Sequence, residues 1–344
     1  MIRKTYHHPE PFKLEQGYSF SGLEICYHIS EDPIDPEKPV VWICHALTAN
    51  SNPEEWWPGM VGQGKFFDPA YYTIVCANII GSCYGSTGAL SINPKTGKPW
   101  LGEFPLVTVR DWASALDTLR RHLGIDRIFL STGGSIGGFQ CLEWAIMHPQ
   151  TVENMVLIAT SYAQTPWSVA INETERMAIE ADATFFNGQP GGGKAGLAAA
   201  RAIGLLTYRG YEAYNQTQAE QNTEEVANFR ASSYQRYQGK KLVDRFDAHC
   251  YHAITRSQDT HNVVRSRHSL ENTLAMVKAK TLSIGISSDI LFPPEEQKVL
   301  AKHIPGAAYA EIHSDFGHDG FLIENKQLED LISRFLNIES QSNL

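Results

Sequence analysis

Seven short apolar runs divide this chain, and each is continuous rather than alternating: LEICYHI (23–29), PVVWICHAL (39–47), YYTIVCANII (71–80), RIFLSTG (127–133), NMVLIATS (154–161), TLSIGIS (281–287) and AYAEIHS (308–314). A strand with one face in water alternates apolar and polar side chains. Unbroken runs of this length fit strands covered on both faces by helices. Helical spacing fills the stretches between them. In VRDWASALDTLRRHLG (109–124), Trp112, Ala115, Leu116 and Leu119 recur on one face and Gly124 supplies a stop. Strands alternating with helices specify an α/β fold with a largely parallel sheet.

From Pro166 to Asn272 that rhythm is interrupted by helices and polar loops, among them GGGKAGLAAARAIGLLTYRG and TEEVANFRASSYQRYQGKKLVDRF, and it resumes at Lys280. The chain of 344 residues exceeds the usual size of one domain, but a single α/β core with an inserted cap reaches it. The expected organisation is a core of residues 1–165 and 280–344, with a helical lid of residues 166–279 inserted over the strand ends.

Composition removes several function classes. A net charge of −9 without a basic cluster argues against a nucleic-acid surface. No run approaches the roughly 18 apolar residues of a membrane span, and MIRKTYHHPEPF at the start has no apolar stretch behind its basic residues. A cytoplasmic chain without membrane attachment is expected. The six cysteines lack C-x-x-C spacing and mostly sit inside apolar runs, as buried thiols do, so neither disulfides nor a metal site is expected.

One junction carries chemistry. In STGGSIGGFQ (131–140), Ser135 lies between an apolar run and a helical pattern, in the order Gly133-Gly134-Ser135-Ile136-Gly137. A nucleophile on such a strand-to-helix elbow takes a strained backbone, and the residues two before and two after it must be small because strand and helix nearly touch. The turn lifts the hydroxyl off the sheet and aims the first helical amides at a reacting carbonyl.

A serine hydroxyl needs a base, and this architecture orders its triad serine, acid, histidine. Asp289 follows the run 281–287, before Pro293 and Pro294; His318 follows the last run, with Gly317 permitting a tight turn. These are the expected orienter and base. His313 falls within a strand pattern and His303 within a helical one, whereas Asp315 and Asp319 stand too near His318 in sequence to orient its ring. The oxyanion hole takes the amide of Ile136 and a second from the loop CHALTAN (44–50), assigned to Leu47. His45 in that loop reads as a supporting residue, because the triad already has its base.

These blocks resemble the homoserine O-acetyltransferase family, the α/β-hydrolase-fold acyltransferases of methionine biosynthesis. The resemblance runs from about residue 20 to 325 through CHALTAN, GSCYGSTGALSINPKTGKPW, FPLVTVRDW, GGSIGGFQCLEWA, ARAIGLLTYRG, YQGKKLVDRFDAHCY and GHDGFLIE. It implies an α/β-hydrolase fold and a two-step transfer, in which acyl-CoA, most simply acetyl-CoA, acylates Ser135 and the hydroxyl of homoserine then takes the acyl group. It further implies that Arg201 binds the amino acid's carboxylate with Tyr208 assisting, that Asp319 meets its amino group, and that lid helices build a homodimer. Spacing agrees, since Arg201 and Tyr208 lie two helical turns apart with small Gly204 between them, and a guanidinium suits a carboxylate bidentately. Ser82, Tyr84, Ala89 and Ile136 depart from many acetyl-specific relatives at positions expected in or near the acyl pocket. A succinyl donor, a serine acceptor, and a serine esterase on the same fold therefore remain as alternatives.

Overall fold

Every apolar run read from the sequence becomes a strand of one sheet. The structure, a computed structural model, describes residues 1–338. The strands are β1 (Ile2–His8), β2 (Leu23–Ile29), β3 (Val40–Cys44), β4 (Thr73–Ala77), β5 (Ile128–Gly134), β6 (Val152–Ile158), β7 (Lys280–Ile286) and β8 (Ala308–Ile312). They lie in the order β1-β2-β4-β3-β5-β6-β7-β8. The pairs β1–β2 and β2–β4 are antiparallel, and every other pair is parallel.

The unbroken runs are explained by two cores. Along β3, Trp42 and Cys44 enter one apolar cluster and Val41 and Ile43 enter the other, because successive strand side chains point to opposite faces. On the first face the Trp42 ring meets Trp144 edge-on at 4.9 Å. The strand β1 was not legible as an apolar run: in IRKTYHH only Tyr6 is buried, as expected of an edge strand whose outer side faces water.

Helix α1 (Val109–His122) occupies the segment expected, closed at its start by a capping box in which Thr108 and Asp111 bond reciprocally. Helix α2 (Ile136–Met147) follows β5 directly. Between β6 and β7 the chain forms α3 (Pro166–Glu180), α4 (Lys194–Tyr208), α5 (Tyr211–Gln218), α6 (Arg230–Val243) and α7 (Ala248–Asp259). The described residues of this stretch add no strand to the sheet. Helices α8 (Pro294–His303) and α9 (Asn325–Leu336) complete the C-terminal part. Among the described residues no helix is long and apolar enough to cross a membrane.

This topology positions the site. The ends of β3, β5, β7 and β8 all open on one edge of the parallel sheet, where ligands bind in open α/β folds. The chain leaving them carries Leu47, Ser135, Asp289 and His318 respectively.

Candidate active site

Of the four glycines around Ser135, Gly133 and Gly137 stand where three segments crowd together, whereas Gly134 faces the Phe321 ring and Gly138 the Thr160 side chain. A Cβ on Gly137 would stand 2.3 Å from the Cys44 carbonyl oxygen, and one on Gly133 would stand 2.6 Å from the Gly137 carbonyl carbon. Strand β5, helix α2 and the end of β3 therefore touch through bare backbone. Ser135 itself sits at φ 57°, ψ −126°, in the left-handed half of backbone space that a side chain rarely adopts. The turn is fixed by Ser135 N–H donating to the Ile158 carbonyl at 3.0 Å, and by Thr160 Oγ1 donating to the Ser135 carbonyl at 2.9 Å.

Asp289, past the end of β7, and His318, past the end of β8, meet directly. His318 Nδ1 donates to Asp289 Oδ2 at 2.7 Å, and both side chains are buried. Asp289 Oδ1 accepts from the amides of Leu291 and Phe292 at 2.8 and 3.0 Å, so the carboxylate is locked before it orients the ring. The carboxylate accepts only, which puts the proton on Nδ1 and leaves Nε2 a lone pair. Burial opposes the imidazolium, but the charge and hydrogen bond of Asp289, with the charge of Asp319, outweigh it and raise the His318 pKa.

A cavity of ≈ 440 Å³ opens over this edge, and its walls include Leu47, Ser135, Arg201, Tyr208, His318 and Asp319. Asp289 stands behind His318 and Ile136 beneath the elbow, both buried. The Ile136 amide is the first of α2, one of the helix-start donors with no intrahelical partner.

His45 is fully buried. Its Nε2 accepts from the Ile79 amide at 3.2 Å and its Nδ1 donates to the Ala46 carbonyl at 2.9 Å, and burial pushes its pKa down to about 4 against that backbone bond. It is a neutral brace for the loop that presents Leu47. His303 ends α8 and His313 is exposed, just past β8; neither lines the cavity.

Helix α4 turns Arg201 and Tyr208 towards the cavity, with the guanidinium 5.5 Å from the tyrosine ring centroid. Among the described residues no acid pairs with Arg201. Asp319 is already engaged, since Arg209 Nε lies 2.8 Å from its Oδ2. Burial raises the Asp319 pKa, against the nearby positive charges of Arg209 and Arg201.

Sequence reasoning missed Arg209, Lys241 and Arg245, all on the cavity wall. Arg245 donates to the Tyr84 hydroxyl at 2.8 Å and to Thr48. Of the positions Ser82, Tyr84 and Ala89, only Tyr84 reaches the cavity; Ser82 and Ala89 are buried away from it.

The elbow, the acid–histidine pair and the strand order define an α/β-hydrolase-fold protein. The sequence pattern of the alpha/beta hydrolase fold matches residues 39–324. A homoserine O-acetyltransferase of Cyclobacterium marinum is 45% identical over 97% of this chain and 95% of its own. The crystal structure of homoserine O-acetyltransferase from Staphylococcus aureus superposes with a TM-score of 0.82 at 28% identity, covering 98% of this chain and 96% of that one. Esterase E22 shares the fold with a TM-score of 0.86 at 22% identity, over 97% of this chain and 99% of its own. The chain belongs to the homoserine O-acetyltransferase family.

Proposed function

We propose that this chain transfers an acetyl group from acetyl-CoA to the hydroxyl of L-homoserine through an acyl-Ser135 intermediate. The observation carrying this reading is one cavity that holds Ser135, the Asp289-oriented His318 and Arg201, which pairs with no acid among the described residues. A hydrolase needs the first two; an acceptor that is an amino acid needs the third.

His318 Nε2 takes the Ser135 proton as the hydroxyl oxygen attacks the thioester carbonyl. The amides of Leu47 and Ile136 receive the developing oxyanion, and CoA leaves as the thiol with the proton from His318. Lys241 and Arg245 on the same wall suit the phosphates of the donor. In the second half, His318 Nε2 takes the proton of the homoserine hydroxyl, whose oxygen attacks the acyl carbon. Ser135 leaves and recovers its proton. Arg201 and Tyr208 hold the acceptor's carboxylate, and Asp319, beside Arg209, meets its amino group.

Transfer beats hydrolysis only if water is excluded while a better-placed alcohol waits. The helices of the inserted segment 166–279 act as that lid. They also carry exposed apolar side chains, including Trp167, Phe186, Leu206, Tyr211 and Tyr237, a composition that fits pairing of two copies through these helices.

The test follows free thiol from acetyl-CoA or succinyl-CoA, with homoserine, serine or no acceptor, alongside cleavage of simple esters. Thiol release from acetyl-CoA that requires homoserine supports the reading. Release indifferent to any amino acid, with rapid ester cleavage, would establish an esterase instead. Arg201→Ala is expected to lower kcat/KM for homoserine about 10–100-fold, the worth of a charged hydrogen-bonded contact, and to spare acetyl-CoA; equal losses for both would refute the clamp.

A further inference from the structure

Helix α3 carries a carboxyl group that the reaction above does not use. Glu175 is fully buried. Its Oε2 accepts from the Tyr251 hydroxyl of α7 at 2.9 Å, whereas Oε1 is buried with no partner among the described residues. That oxygen faces α4 at Gly204, one of two positions where the helix has no side chain. A Cβ on Gly204 would stand 2.6 Å from it and 3.0 Å from the Tyr208 ring. Arg201, Gly204 and Tyr208 share a face of α4, so the acid lies against the helix face that carries the carboxylate clamp.

The charged and titratable groups facing Glu175 are few. From α4 come Arg201 and Tyr208; from α7 come Tyr251 and Asp259; from α3 itself comes Arg176. Arg176 is already paired, with Glu173 at 2.6 Å and Asp259 at 2.7 Å. Among the described residues, Arg201 is the one of these cations that pairs with no acid. Burying a carboxylate with one oxygen unsatisfied is costly, and the usual relief is to keep the proton. Burial pushes the Glu175 pKa up to about 8, against the Tyr251 hydrogen bond and the charges of Arg201 and Arg176.

We propose that Glu175 is a positioning residue that sets acceptor affinity through Arg201. As a neutral acid it leaves the whole guanidinium charge to the substrate carboxylate, and as an anion it competes for that charge. The proposal rests on the reading of Arg201 as the acceptor's clamp.

The test measures kcat/KM for homoserine from pH 6.5 to 9.5 in the wild type, Glu175→Gln, Tyr251→Phe and Arg201→Ala, with acyl-enzyme formation from acetyl-CoA as a parallel readout. With the acid's pKa pushed up to about 8, only a minor fraction of wild-type molecules keeps it neutral at pH 9. The wild-type value relative to Glu175→Gln is therefore expected to fall about tenfold between pH 7 and pH 9, while the two acylation profiles keep the same shape. Taking the ratio cancels titration of the acceptor's amine and of His318. Tyr251→Phe removes the donor that stabilises the anion and is expected to move the fall to higher pH. Parallel profiles in the wild type and Glu175→Gln would overturn the proposal, as would a pH-independent loss of both half-reactions, which marks a merely structural role. If Glu175→Gln does not fold, an unshifted break in Tyr251→Phe overturns it. Unchanged homoserine kinetics in Arg201→Ala would instead refute the clamp itself, so the two failures are distinguishable.

Discussion

Replacing Gly137 by alanine tests whether the contact between α2 and the end of β3 positions the oxyanion donors. The new Cβ would stand 2.3 Å from the Cys44 carbonyl oxygen and 3.4 Å from that of His45. To reach about 3 Å, the shortest separation real Cβ atoms show, helix and strand must part by about 0.7 Å. Backbone cannot rotate out of the way as a side chain can. The cost in stability is expected at about 1–3 kcal/mol, as for other overpacked interiors. The cost in rate is the larger diagnostic. Cys44 leads into the loop bearing Leu47, and Gly137 follows Ile136, so the separation pulls apart the two amides meant for one oxygen. A displacement approaching 1 Å at a reacting centre costs on the order of 100-fold. Stopped-flow thiol release, run well below the melting temperature, reads acylation alone. Gly102→Ala is the control, since its Cβ meets nothing within 4 Å. Acylation by Gly137→Ala at the wild-type rate would refute the close-approach argument.

Asp289→Asn keeps the shape but lets the amide donate to Nδ1, which moves the imidazole proton to Nε2 and removes the base; acylation is expected to fall about 10³–10⁴-fold with little change in donor KM. His318 must be neutral to act, and its pKa is raised, so the single-turnover acylation rate should rise with pH through a midpoint above 6.5; a midpoint below it would contradict the pairing with Asp289. His45 and His261 are both buried with pKa values pushed down to about 4. Between pH 6.5 and 4 the unfolded chain binds protons that the folded chain refuses, so stability present above pH 6.5 is lost as pH falls, by about 3 kcal/mol for each histidine. Urea titrations across that range check this, and a flat profile would contradict it.

The geometry of the candidate site is legible because each member leaves the end of a strand, and strands are what continuous apolar runs reveal. The sequence pattern alone puts Ser135, Asp289 and His318 at one edge. The substrate wall was less legible. Glu175 lies in INETERMAIE, where it looks like one more solvated helix charge; only the packing of α3 against α4 and α7 buries it. Arg209 follows Tyr208 without any local signal, and it meets Asp319 only because α4 ends beside the His318 loop. Lys241 and Arg245 sit in GKKLVDRF, indistinguishable there from an ordinary polar face. The edge strand β1 is illegible because six of its seven side chains are not buried, and α6 starts only at Arg230, leaving the polar TEEVAN (223–228) outside it.

The most direct measurement is intact-protein mass spectrometry after brief exposure to acetyl-CoA without acceptor, followed by a homoserine chase. A single acetyl group is expected on the peptide holding Ser135, absent from Ser135→Ala and discharged as O-acetylhomoserine. An adduct that survives Ser135→Ala, or one released only as acetate whatever amino acid is added, would contradict it.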